Sequence, residues 1–230
     1  MKLPDKSTGL HDVIAAIPDG ATVLVGGFGV PGTPFTLLNE LARQGQRDLV
    51  LVKNDANEAG MGIDHLIRNG QVRKLIVTHL GLNANAIAAM NSGALEVEFC
   101  AQGILAERIR AGGAGLGAIL TDIGIDTELA NGKQMVEMNG HAMLVEPALR
   151  ADVALIHAAI ADPFGNLAFA ATARNFNPLM AMAAQRVIVE AEALVPLGGL
   201  VPDAVETTGA FVDHIVEIKE LSQEYGIVRR

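Results

Sequence analysis

Two periods of hydrophobic and polar positions alternate along this chain. The runs Thr22 to Val25, Asp48 to Lys53, Lys74 to Thr78 and Leu95 to Cys100 are short, apolar and rich in β-branched residues, and turn-forming residues bound them. That is the pattern of strands buried on both faces. Between them the period changes. Ser7 to Ala16 carries apolar residues at helical spacing and stops before Pro18-Asp19-Gly20, and a segment entered at Pro34 runs through Phe35, Leu37, Leu38, Leu41 and Ala42 to about Gly45. A further helix is predicted from about Ile104 to Arg110. Strand, helix, strand in recurring order predicts an α/β fold, a mostly parallel sheet with helices on both faces.

The last third continues the pattern. Ala151 to His157 and Arg186 to Glu190 read as buried strands, Asp162 to Asn166 as a turn, and Leu179 to Ala184 as the body of a helix with Pro178 at its first position and Asn177 as its cap. Met135 to Val145 consists of two short runs joined by Asn139-Gly140, the preferred pair for a two-residue hairpin, so a protruding β-hairpin is expected. In that register Val136, Met138, His141, Met143 and Val145 share one face. Residues 1–220 are expected to form one domain and 221–230 a charged, frayed tail.

Ligands of such sheets bind beyond the carboxyl ends of the strands. Parallel strands would bring Gly26 to Gly32, Asn54 and Asp55, His79 to Asn83, and Gln102-Gly103 to one crevice. The first of these loops, Gly26-Gly27-Phe28-Gly29-Val30-Pro31-Gly32, is the richest in chemistry. Glycines admit positive φ and close approach of a ligand, and Thr33-Pro34 is a good helix start whose free N–H groups suit phosphate or an oxyanion. Spacing leaves several readings open. The loop is a tight strand-to-helix turn, or a dinucleotide site, since Gly27, Gly29 and Gly32 spell G-x-G-x-x-G with Asp55 further on. Against the dinucleotide site, Pro31 and Thr33-Pro34 delay the helix beyond the last glycine.

Composition narrows the classes. The chain has 230 residues, half of them hydrophobic, which suffices for one large core. A net charge of -9 without basic clusters argues against a nucleic-acid surface. No apolar run is long enough to cross a bilayer and the N-terminus lacks the pattern of a secretory signal, so a soluble, cytoplasmic protein is expected. One cysteine and six scattered histidines without zinc-type spacing predict no metal. Eight methionines and few aromatics leave room for an adaptable apolar contact face.

Asp19-Gly20, the apolar residues Val23 to Val25, then Gly26-Gly27-Phe28, Gly32 and Pro34 resemble the first signature of the family I coenzyme A transferases, specifically of the alpha chain of 3-oxoacid and acetate CoA-transferases. Ala101-Gln102-Gly103 resembles that family's P-Q-G with alanine in place of proline. Gly165-Asn166-Leu167 and Arg174-Asn175-Phe176-Asn177-Pro178 resemble its G-N-L and A-R-N-F-N-P, and the likeness runs from roughly Asp12 to Glu217. The resemblance implies a fold related to that of sugar-phosphate isomerases and deaminases. It also implies that Gly26, Gly27, Phe28, Gly29, Val30, Pro31 and Gly32 bind coenzyme A, as acyl-CoA substrate rather than resident cofactor, while Asn54 and Gln102 orient the acyl group. The family's nucleophile is a beta-subunit glutamate in a Ser-Glu-Asn-Gly type motif, and no Glu-Asn-Gly occurs here. No catalytic residue is therefore expected in this chain, and a beta partner is, in an alpha2beta2 heterotetramer. Thr78 to Asn83, T-H-L-G-L-N, resembles the acetate and acetoacetate branch. Succinyl-CoA:3-oxoacid or 3-oxoadipate transfer, a sugar-phosphate isomerase-like enzyme, and a non-catalytic acyl-CoA binding subunit remain as alternatives. Glu107 reads as a solvated helix carboxylate, His79 as a hydrogen-bonded structural histidine, and Gly112 to Gly117 as either a tight connection or a cover for the site.

Overall fold

The computed structural model describes residues 5–228; the ends of the two expected segments, residues 1–4 and 229–230, lie outside the described residues. The chain runs α1 (Leu10–Ala15), β1 (Thr22–Val25), α2 (Phe35–Gln44), β2 (Leu49–Val52), α3 (Ile63–Arg68), β3 (Val72–Val77), α4 (Ala84–Asn91), β4 (Glu96–Phe99) and α5 (Gln102–Gly113). It continues through β5 (Ala118–Thr121), β6 (Met135–Met138), β7 (His141–Pro147), β8 (Ala151–Ala161), β9 (Leu167–Ala168), α6 (Asn177–Ala183), β10 (Ala184–Leu194) and β11 (His214–Glu217). Seven strands pair in parallel in the order β11-β10-β8-β1-β2-β3-β4, and β9 pairs antiparallel to β8.

The continuous apolar runs are explained by what lies on each side. Along β1, Val23 and Val25 face one core with Val13 and Ile14 of α1, Leu37, Leu38 and Leu41 of α2, and Leu66 of α3. Leu24 between them faces a second core with Ile104, Leu105 and Ile109 of α5 and Met180 of α6. The same alternation holds in β2 and β8, so a central strand is covered on both faces and a polar residue within it needs a buried partner.

Asn139 and Gly140 have φ of 53° and 78°, as a type I′ turn requires, and Met138 pairs with His141. The hairpin is not alone: β5 joins β7, giving a three-stranded antiparallel sheet. Gly112 and Gly113 serve packing. A Cβ on Gly112 would lie 1.9 Å from the Leu149 carbonyl oxygen, and one on Gly113 would lie 2.7 Å from Cβ of Met182 in α6, so these glycines let α5 close on its neighbours.

The tail corrects an expectation. Residues 223–228 form a 3-10 turn, and two of its side chains, Glu224 and Tyr225, are held against the domain. Glu224 accepts from the Gly62 amide at 2.6 Å and from Asn39 Nδ2 at 2.8 Å. The Tyr225 ring stands edge-on to Phe35 at 4.8 Å, and its hydroxyl donates to the Thr33 carbonyl. The tail carries its own anchor, an aromatic ring with a hydroxyl that reaches a backbone acceptor; its charge alone concealed this.

Candidate active site

All parallel strands point the same way, so the loops after β1, β2, β3 and β4 do meet along one edge. The glycine loop leaves β1 with Gly26 N–H donating to the Leu155 carbonyl of β8. Its tip is Gly29. The Gly29 N–H donates to Asp55 Oδ2 at 2.7 Å, and its carbonyl accepts from Thr33 Oγ1 at 2.7 Å and Asn57 Nδ2 at 2.8 Å. Phe28 N–H and Thr33 N–H close turns onto Pro31 and Val30 carbonyls. The N–H groups of Gly27, Val30 and Gly32 have no partner among the described residues; Gly27 and Gly32 are buried and Val30 is partly exposed.

Three glycines are required by protein neighbours. A Cβ on Gly26 would sit 1.9 Å from Asn177 Oδ1, on Gly27 2.2 Å from Thr33 Oγ1 and 2.6 Å from the Thr33 amide, and on Gly32 2.4 Å from the Ala173 carbonyl. Gly27, Gly29 and Gly32 all have positive φ, but around Gly29 there is open space. The half-exposed Phe28 and the Pro31 ring project from the same loop.

Two expected helix caps are corrected. Thr33 does not cap α2; its hydroxyl is turned back to Gly29, and the α2 amide of Leu37 donates instead to Glu190 Oε2 of β10 at 3.0 Å. The positive end of that helix is therefore met by the buried Glu190 carboxyl group. Asn177 does not cap α6 either. It is the first residue of the helix, and its side chain accepts from the His157 amide and donates to the Gly32 and Ala173 carbonyls. Sequence could show neither arrangement, because Asn177 reaches Gly32 across 145 positions and Glu190 reaches Leu37 across 153.

Beyond β2, Lys53, Asn54 and Asp55 are all buried. Asp55 is the hub. It accepts from Gly29 N–H, from Asn57 N–H at 2.9 Å, from Asn54 Nδ2 at 2.9 Å and from Lys53 Nζ at 3.5 Å. Burial would raise its carboxyl, but the Lys53 charge and these donors outweigh that and hold it below the usual carboxylate range. Burial pushes the Lys53 ammonium down, against the pull of Asp55. Gln102 Nε2, from the start of α5, donates to Asn54 Oδ1 at 2.7 Å. One hydrogen-bonded chain, Gly29 to Asp55 to Asn54 to Gln102, thus joins the loop after β1 to the ends of β2 and β4. Gln102 is exposed at its end. Asn54 is fully buried, so it acts on Gln102 rather than standing at the surface.

His79 is exposed and meets Asp55 through a backbone bridge, and the expected hydrogen bond to its side chain is not found among the described residues. Glu107 pairs with Arg110 at 2.7 Å on the solvent side of α5, as its position suggested. On the far side of the glycine loop lies a group that sequence reasoning missed. His157 Nδ1 is 2.9 Å from Glu190 Oε1 and its Nε2 is 3.0 Å from Glu192 Oε1, beneath a cavity of about 330 Å³ bounded by Pro31, Gly32, Ala170 to Ala173 and Tyr225. Burial opposes charge on the ring, but Glu190 and then Glu192 hold its pKa up. Burial also pushes the Glu190 carboxyl up. The raised histidine governs, because both ring nitrogens face a carboxylate and each must then carry a proton. The signal available in sequence was the polar interruption of an apolar strand, His157 in β8 and Glu190 in β10, which pair in the sheet register.

A glycine loop with free N–H groups and a carboxamide held at the adjacent strand end suit a polarised acyl group. The coenzyme A transferase family model matches residues 8–218. The chain belongs to that family. It is 48% identical over 212 residues to the alpha chain of a probable coenzyme A transferase of Bacillus subtilis, covering 92% of this chain and 93% of that one. It is 46% identical to the alpha chain of an acetate CoA-transferase of Escherichia coli, covering 92% and 96%. The corresponding chain of a succinyl-CoA:3-ketoacid coenzyme A transferase of Helicobacter pylori is 41% identical, covering 90% of each. No helix among the described residues is long and apolar enough to cross a membrane.

Proposed function

We propose that this CoA-transferase alpha chain moves CoA between short-chain monocarboxylic acids, in the cytoplasm, within an alpha2beta2 complex whose beta subunit supplies the nucleophilic glutamate. The observation that carries the reading is the chain from Gly29 through Asp55 and Asn54 to Gln102, which ties the glycine loop to a carboxamide at the open edge. In the proposed cycle the glutamate carboxylate attacks the thioester carbonyl and expels CoA thiolate, leaving an acyl-glutamyl anhydride. The thiolate then attacks the glutamyl carbonyl of the anhydride, releasing the first acid and forming a glutamyl-CoA thioester. The second acid takes CoA by the same two steps in reverse order. A carboxylate is a weak nucleophile, so the tetrahedral oxyanion must be stabilised by donors fixed beforehand. Gly27, Val30 and Gly32 N–H groups and the free N–H of Gln102 are assigned that role, with CoA lying along Phe28 to Pro31.

The preference for monocarboxylic acids rests on charge. Across the loops 26–32, 53–57, 78–83 and 100–103 the one lysine or arginine is Lys53, and it is buried against Asp55. A second carboxylate would find no cation on this side of the crevice. The test is CoA transfer by the co-expressed alpha and beta chains: acetate and butyrate should exceed succinate in kcat/KM, and the alpha chain alone should be inactive. Efficient transfer to succinate would overturn the substrate class, and turnover by the alpha chain alone would overturn the division of labour. Gln102→Ala should lower kcat on the order of a hundredfold, the usual cost of one oxyanion donor.

A further inference from the structure

We propose that Lys53 and Asp55 are positioning residues which set the donor–acceptor polarity of the buried chain and so hold the Gln102 carboxamide in one of its two amide orientations. The inference rests on the transferase reading above only for its kinetic consequence. The geometry stands by itself. An ionised carboxylate accepts hydrogen bonds and donates none. Asp55 gathers four donors, the Gly29 and Asn57 amides, Asn54 Nδ2 and Lys53 Nζ. Asn54 must therefore turn its NH₂ group toward Asp55, which leaves Oδ1 facing the other way, and only a donor can meet it there. Gln102 Nε2 does so at 2.7 Å. Its second N–H and its carbonyl oxygen make no hydrogen bond among the described residues, and the residue is exposed at the open edge.

A fully buried lysine needs a reason, since removing an ammonium from water is costly. Here the reason is that a neutral, protonated carboxyl at 55 could donate as well as accept. Asn54 could then flip, and Gln102 would flip with it. Lys53, entering from the end of β2, keeps the carboxyl ionised and the polarity single. The titratable neighbours of this carboxylate are Lys53 and, across the backbone bridge to the end of β3, His79.

The experiment has a spectroscopic arm on the alpha chain and a kinetic arm on the alpha–beta complex. In the ¹⁵N-labelled parent, one side-chain amide proton of Gln102 should be hydrogen-bonded and slow to exchange. Asp55→Asn should abolish that protection and lower kcat on the order of tenfold to a hundredfold, the scale of a misplaced reacting group, with KM for acyl-CoA changing far less. Lys53→Met, which keeps the apolar stem, is the second variant should Asp55→Asn fail to fold. It should let Asp55 titrate nearer the ordinary carboxylate range, moving the acid limb of the kcat profile to higher pH. Retention of the protected Gln102 proton in Asp55→Asn, or an acid limb unmoved in Lys53→Met, overturns the proposal. A parent complex without CoA transfer would sink the functional reading alone, because the amide signal reports polarity in either case.

Discussion

The two flanks of the glycine loop follow opposite rules. Toward β8 and β10 three glycines of the loop are pressed against protein, beside the cavity lined by Pro31 and Gly32: Asn177 fills the space a Cβ on Gly26 or Gly32 would need, Thr33 fills that beside Gly27, and the Glu190–His157–Glu192 group and Tyr225 lie behind. Toward β2 and β4 the loop backbone is held by the side chains of Asp55 and Asn57, and Gly29 looks into open space. Glycine therefore has two meanings within seven residues. On one flank it permits packing, and on the other it leaves room for something that is not part of the chain. A substitution series can separate these meanings.

The largest effect is expected at Gly27→Val. Overpacking against the Thr33 backbone, added to a branched side chain at a φ of +99°, should cost roughly 3–5 kcal/mol in urea unfolding. A variant that stays fully stable and loses only turnover would show that the glycine at 27 is not required by packing. Next comes His157→Gln, which breaks a buried ionic group and should cost about 2–3 kcal/mol near pH 6. Its dependence on pH has a definite sign. The folded pKa is raised, so the contribution is complete below the unfolded value of about 6.5 and is lost as pH rises through the folded one. Parent and variant should therefore converge in stability on the alkaline side, and a difference that grows with pH would contradict the assignment.

Smaller still is Tyr225→Phe. It leaves the Thr33 carbonyl without its phenol donor and should cost about 1–2 kcal/mol, seen as a lower urea midpoint with the ring packing on Phe35 retained. The smallest loss of stability belongs to Gly29→Ala, about 1 kcal/mol for an alanine at φ +59° with no atom nearby. Here the comparison is sharpest: kcat/KM for acyl-CoA should fall more than the stability change alone implies. An unaltered kcat/KM would mean that the open flank is not where the ligand lies.

The periodicity of the chain sufficed for the parallel sheet, for helices on both faces, and for the Asn139-Gly140 turn, because burial on two faces and a positive φ at two adjacent residues leave few residue types available. It also placed Gly26 to Gly32, Asn54 and Gln102 at strand ends, and parallel pairing then brought them to one edge. Their connection was invisible, since the hydrogen bond from Gln102 to Asn54 spans 48 positions and depends on register between β2, β3 and β4. The caps failed for the same reason. Thr33 and Asn177 carry the right side chains at the right places, and local rules assign them to the nearest helix amides. Tertiary structure offered each a different partner, the Gly29 carbonyl for Thr33 and the glycine loop for Asn177, while Glu190 took the start of α2 from across the sheet. A short polar side chain can satisfy its hydrogen bonds in several ways of similar energy, and only the assembled neighbourhood selects among them. The apolar pattern determined which strands and helices form, and the fold decided which polar groups meet.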